Sequence, residues 1–80
     1  MGSKYPPLDR TQVETILKNA KFAPKRQTGA HVHWEGYFGG QRRIVTVDQM
    51  KSKKETYGKK LLSKMIQQAG MTKKQFYSYL

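Results

Sequence analysis

The sequence predicts an α+β domain: one three-stranded antiparallel sheet with helices over one of its faces. Three observations lead there. Apolar residues recur at helical spacing near both ends of the chain, polar and apolar residues alternate between them, and a Gly39-Gly40 pair sits inside the alternating stretch.

Taken in order, Asp9 reads as a helix N-cap with Gln12 three residues on, a capping-box arrangement. Val13, Ile16, Leu17 and Ala20 follow at helical spacing and predict a helix over 10–20. A strand is expected over 22–27, and Pro24, which cannot donate to a ladder, marks it as an edge strand. Thr28-Gly29-Ala30 makes a turn, and His31-Val32-His33-Trp34 alternates as a half-buried strand does. Gly39-Gly40 is a two-residue hairpin turn, and Arg42 to Asp48 returns as the third strand. Residues 49–57, polar and lysine-rich, read as a loop or a frayed helix start. Leu61, Leu62, Met65, Ile66 and Ala69 form a second helical stripe stopped by Gly70. Thr72 and Gln75 open a short last helix bearing Phe76, Tyr79 and Leu80.

Eighty residues suit a single domain, 1–80, near the size at which burial alone just sustains folding. Residues 1–7 are expected to be a disordered tail, with Met1-Gly2-Ser3 reading as a cloning scar. Without cysteine there is neither a disulfide framework nor a thiolate metal site, which suits a reducing cytoplasm. No apolar run reaches the length of a membrane span and no signal-peptide pattern opens the chain.

Charge is the strongest bulk signal. Sixteen Lys and Arg against five Asp and Glu leave a formal +11, and residues 41–80 hold ten of the basic side chains. Such a field draws polyanions and supplies most non-specific affinity for a phosphate backbone. Simple solubility is the plainer explanation. An anionic membrane surface fits less well, because no helix is both strongly basic and free of a core-facing stripe.

If Gly39-Gly40 is the turn and Phe38 pairs with Gln41, Trp34 faces Val45 and Val32 faces Val47, an apolar patch for the helices to bury. The other face receives His31 opposite Asp48, His33 opposite Thr46, Glu35 opposite Ile44 and Tyr37 opposite Arg42. A slip of one residue would mix the faces.

Two histidines on one strand face leave three readings open. They are solvated strand residues; or zinc ligands, needing Asp48 or Glu35 as a third; or acid–base groups, since imidazole changes charge near neutral pH. In the last case Asp48 would orient His31 as the third member of a triad does. RNA suits that chemistry because its own 2′-hydroxyl is the nucleophile. A base, an acid and a cation for the phosphate oxygens are then enough, with no cofactor or metal. The chain also lacks the acidic cluster that would hold two divalent ions.

Arg26-Gln27-Thr28-Gly29-Ala30-His31 after Lys21-Phe22, Arg43-Ile44-Val45-Thr46-Val47, Leu62 to Gly70, and Met71-Thr72 through Phe76 together resemble the HicA toxin family, over nearly the whole chain. The family's signature is an Arg-Gln-x-Gly-Ser-His stretch at the first strand turn. The resemblance implies a double-stranded-RNA-binding-domain-like α-β-β-β-α fold with a short extra C-terminal helix. It implies an endoribonuclease toxin that cleaves messenger RNA in the cytoplasm, an mRNA interferase neutralised by a HicB-type antitoxin. It places the catalytic histidine at His31, with His33 and Asp48 as candidate assistants from the pairing above. Candidate RNA contacts are Lys25, Arg26 and Arg42, with Lys53, Lys54, Lys59 and Lys60 where such folds meet phosphates at the start of the last long helix. Two departures stand out: Ala30 replaces the usual serine, and Val32 separates His31 from His33 where many members have adjacent histidines. A non-catalytic double-stranded-RNA-binding module fits the fold and the lysines equally well, and a domain for an acidic protein partner is the third reading.

Overall fold

The computed structural model describes residues 5–49 and 55–80. The order is α1 (Arg10–Asn19), β1 (Ala23–Thr28), β2 (His31–Phe38), β3 (Gln41–Asp48), α2 (Lys59–Gln68) and α3 (Lys73–Ser78). The strands form one antiparallel sheet in the order β1-β2-β3, so the fold is the expected α-β-β-β-α arrangement with a short third helix. Among the described residues no helix is long and apolar enough to cross a membrane.

Local signals place the helix starts. The Asp9 carboxylate accepts the Gln12 N–H at 2.9 Å while Gln12 Oε1 accepts the Asp9 N–H at 3.0 Å. Thr72 and Gln75 repeat this box at α3. Each box satisfies two of the amide donors that a helix start leaves without partners. α2 lacks such a cap: Gly58 precedes it and offers no side chain.

The two long helices end alike. At α2 the Met71 N–H reaches Ile66 O and the Gly70 N–H reaches Gln67 O, with Gly70 left-handed at φ 73°. These are the paired bonds of a Schellman motif, in which glycine is the favoured residue. At α1 the Phe22 N–H reaches Leu17 O at 2.8 Å and the Lys21 N–H reaches Lys18 O at 3.0 Å. There the left-handed position is held by Lys21 at φ 72°. This turn makes Phe22 the end of the helix motif rather than the first strand residue, and β1 begins one residue later than the pattern suggested.

β1 is an edge strand, as Pro24 required, and its register with β2 shifts between Pro24 and Arg26. The β2–β3 ladder has the register expected from the Gly39-Gly40 turn, from Phe38↔Gln41 to His31↔Asp48. Val32, Trp34, Val45 and Val47 are buried on the helix-facing side. They meet Val13, Ile16 and Leu17 of α1, Leu62, Met65 and Ile66 of α2, and Phe76 of α3 in one core. Fully burying each such side chain contributes about 1.5–3 kcal/mol. Gly36 lets that core close, because a Cβ there would lie 2.7 Å from the Phe22 ring.

Segments without regular structure join in. The Tyr57 N–H donates to Leu8 O at 2.9 Å, tying the approach to α2 to the approach to α1. Of the residues expected in an N-terminal tail, Tyr5 packs on Tyr77, whose hydroxyl donates to Pro6 O at 2.7 Å. The last helix carries Phe76 fully buried, but Leu80 is half exposed because the helix has already ended at Ser78.

Candidate active site and nucleic-acid interface

The sheet face turned away from the core carries the polar partners in the order expected. Alternation along β2 sends His31, His33, Glu35 and Tyr37 outward, and β3 answers with Asp48, Thr46, Ile44 and Arg42. His31 is exposed, His33 and Asp48 are half-buried, and Tyr37 and Ile44 are exposed at 69% and 44%.

Among the described residues, two clefts on this face gather these side chains. The first, about 230 Å³, brings His31, Thr46 and Asp48 of the sheet against Leu61, Lys64, Met65 and Gln68 of α2. It exists because α2 docks on the outer edge of β3: Gln68 Oε1 accepts the Thr46 N–H at 3.0 Å. Leu61, Lys64 and Gln68 recur at helical spacing and so share one flank of α2. Asp48 is held from behind, since the Tyr57 hydroxyl donates to its backbone carbonyl at 2.6 Å. Burial pushes the Tyr57 hydroxyl up to about 12, with the nearby Arg10 charge opposing. His31 and Asp48 share this cleft as cross-strand partners, but among the described residues no hydrogen bond or ion pair links their side chains.

The second cleft, about 280 Å³, is lined by Lys25 and Arg26 of β1, His33 and Glu35 of β2, and Arg42 and Ile44 of β3. His33 Nδ1 lies 3.1 Å from Thr46 Oγ1, a cross-strand bond that holds the ring. Arg42 Nε lies 2.8 Å from Glu35 Oε2, with the two side chains 58% and 29% exposed. An ion pair so exposed stabilises by at most about 1 kcal/mol, so Arg42 stays available to a phosphate.

Of the residues singled out in the sequence, the fold thus gathers His31 and Asp48 in one cleft, and His33, Lys25, Arg26 and Arg42 in its neighbour. Lys59 lies elsewhere, in a tyrosine-lined cleft on the other flank of α2. Lys60 is exposed one turn before Lys64. Lys53 and Lys54 lie outside the described residues. Sequence reasoning missed Lys64 and Gln68; their spacing from Leu61 was the available signal. Among the described residues no three His, Cys, Asp or Glu side chains converge as a metal site would need.

Comparison with known proteins adds one finding. The model of the family described as HicA toxin of bacterial toxin-antitoxin matches residues 10–71, most of the chain and all of the sheet. No significant match is found among curated proteins or among solved structures. The chain belongs to the HicA toxin family, the toxins of bacterial toxin–antitoxin pairs, and an antitoxin is its implied partner.

Proposed function

We propose that this toxin is an endoribonuclease that cuts messenger RNA in the cytoplasm by acid–base chemistry at His31. The observation that carries the reading is the His31 cleft: an exposed imidazole on an open sheet face, with a lysine from α2 lining the same cleft. His31 takes the proton from an RNA 2′-hydroxyl, or returns one to the leaving oxygen. The 2′-oxygen attacks the neighbouring phosphorus, the bond to the 5′-oxygen breaks, and that oxygen takes up a proton. The products are a 2′,3′-cyclic phosphate and a 5′-hydroxyl. Lys64 supplies the cation for the phosphate oxygens as negative charge concentrates there. Asp48, held from behind by the Tyr57 hydrogen bond, faces His31 across the ladder. The cleft of His33, Lys25, Arg26 and Arg42 receives the adjoining backbone phosphates, and Lys60 extends the basic surface along α2.

A HicB-type antitoxin silences the enzyme by covering this face. The exposed Tyr37 and Ile44 give it apolar anchors beside the charges that speed encounter.

Identifying the ends of the RNA fragments by mass spectrometry, with EDTA present throughout, tests the chemistry. Cyclic phosphates and 5′-hydroxyls support it. 5′-phosphates would mean that water, not the 2′-hydroxyl, attacked. Tight binding of double-stranded RNA without any cut would instead make the domain a binding module.

A further inference from the structure

A third cleft, larger than those two, is not on the sheet face. It lies between the N-terminal segment, α2 and α3, about 390 Å³ in volume, a size that suits a small ligand. Tyr5 and Tyr77 form one wall, with ring centroids 4.8 Å apart and planes at 49°. Leu62 and Ile66 are its buried floor. Among the described residues, two cations from different helices border it, Lys59 of α2 and Lys73 of α3, and no carboxylate lines it. Lys73 Nζ stands 5.5 Å from the centre of the Tyr5 ring. Nothing in the chemistry at His31 uses any of these side chains.

Aromatic faces beside cations are how proteins hold unpaired nucleotides: the base stacks on a ring and the phosphates meet the ammonium groups. We propose that this cleft is a second RNA subsite, taking one unpaired nucleotide of the substrate strand. Its base lies against Tyr5 and Tyr77, and its flanking phosphates sit at Lys59 and Lys73. The inference rests on the RNA-cleaving reading above. Helix α2 links the two sites, since Lys59 and Ser63 line this cleft while Lys64 and Gln68 line the His31 cleft. A strand leaving His31 has only to cross one helix, about 10–12 Å wide, to reach the tyrosines. That continuity favours RNA over an acidic protein segment, which would meet the same two lysines.

The test uses the full chain carrying His31→Ala, so that RNA stays intact, titrated with a labelled single-stranded oligoadenylate. Adding Tyr5→Ala should weaken binding about five- to hundredfold, the range for loss of one stacked base. Adding Lys73→Gln, an exposed change that leaves the core alone, should weaken binding and lower the salt slope by about 0.7. Inorganic polyphosphate should bind the Tyr5→Ala protein as well as its parent. Equal oligoadenylate affinity for parent and both variants would overturn the subsite while leaving cleavage at His31 intact. Absence of oligoadenylate binding, with an unaltered protein that also fails to cut RNA, would overturn both readings. Loss of antitoxin binding, but not of RNA binding, in the variants would make the cleft a protein contact and overturn the proposal.

Discussion

Gln68 Oε1 accepts the backbone N–H of Thr46 at 3.0 Å, and that bond joins the last turn of α2 to the outer edge of β3. The Thr46 N–H is thereby taken up by α2, and without Gln68 it would be an open donor on the sheet edge. The same docking puts Leu61 and Lys64 beside His31.

Replacing Gln68 with alanine should therefore do two things. It leaves a partly buried donor without its partner, costing about 1–3 kcal/mol in urea melts. It also frees the wall of the His31 cleft, so RNA cleavage falls by more than the loss of stability explains. Faster hydrogen exchange at the Thr46 amide is the direct readout. An amide as protected as before would show that α2 does not depend on this bond.

Lys21 holds a left-handed conformation that costs an L-residue about 1–2 kcal/mol. Lys21→Gly removes that cost while keeping both backbone bonds of the turn, and gives back part of it through the freer unfolded chain. A net gain of about 0.5–1 kcal/mol is expected in thermal or urea unfolding. A loss of stability would mean that the Lys21 side chain makes a contribution larger than the backbone strain.

Burial raises the Tyr57 hydroxyl to about 12 from the ordinary 10, and the neutral hydroxyl is also the donor to Asp48. Between those values the unfolded chain has lost a proton that the folded chain keeps, so stability falls as pH rises. The contribution is fully present below pH 10 and is lost through about pH 12, amounting to at most about 2–3 kcal/mol. Tyr57→Phe should be less stable than the parent at neutral pH, and the difference should shrink across that window. A difference that stays constant to pH 12 would contradict a buried, hydrogen-bonded hydroxyl.

Much of this was readable in the residues. The β2–β3 register followed from two facts: Trp34, Val45, Val32 and Val47 must share a face, and Gly39-Gly40 must turn. Once that register is set, His31 and Asp48 have to meet on the other face. The two capping boxes were equally local, since each needs only a pair of residues three apart. The left-handed Lys21 was not readable, because glycine and asparagine advertise such a backbone and lysine does not. Nor was the placement of Lys64 and Gln68 beside His31, although their spacing from Leu61 puts the three on one flank. Their flank of α2 looks like a solvated one until tertiary packing sets that helix on the β3 edge.

Lys64 carries a prediction of its own. With the fold unchanged, Lys64→Gln should slow RNA cleavage by on the order of a hundredfold, as loss of one charge-stabilising group does. Lys64→Arg should restore part of the rate. A glutamine variant as fast as the parent would remove Lys64 from the reaction.

The central claim is that His31 performs the proton transfer. Its most direct test is the initial rate of cleavage of a long RNA, in EDTA, by the parent and by His31→Ala, with folding of both checked by circular dichroism. The loss of one general acid or base predicts a fall of about a hundredfold to ten-thousandfold, in a variant that remains folded. A folded His31→Ala protein that cuts RNA at the parental rate would contradict it.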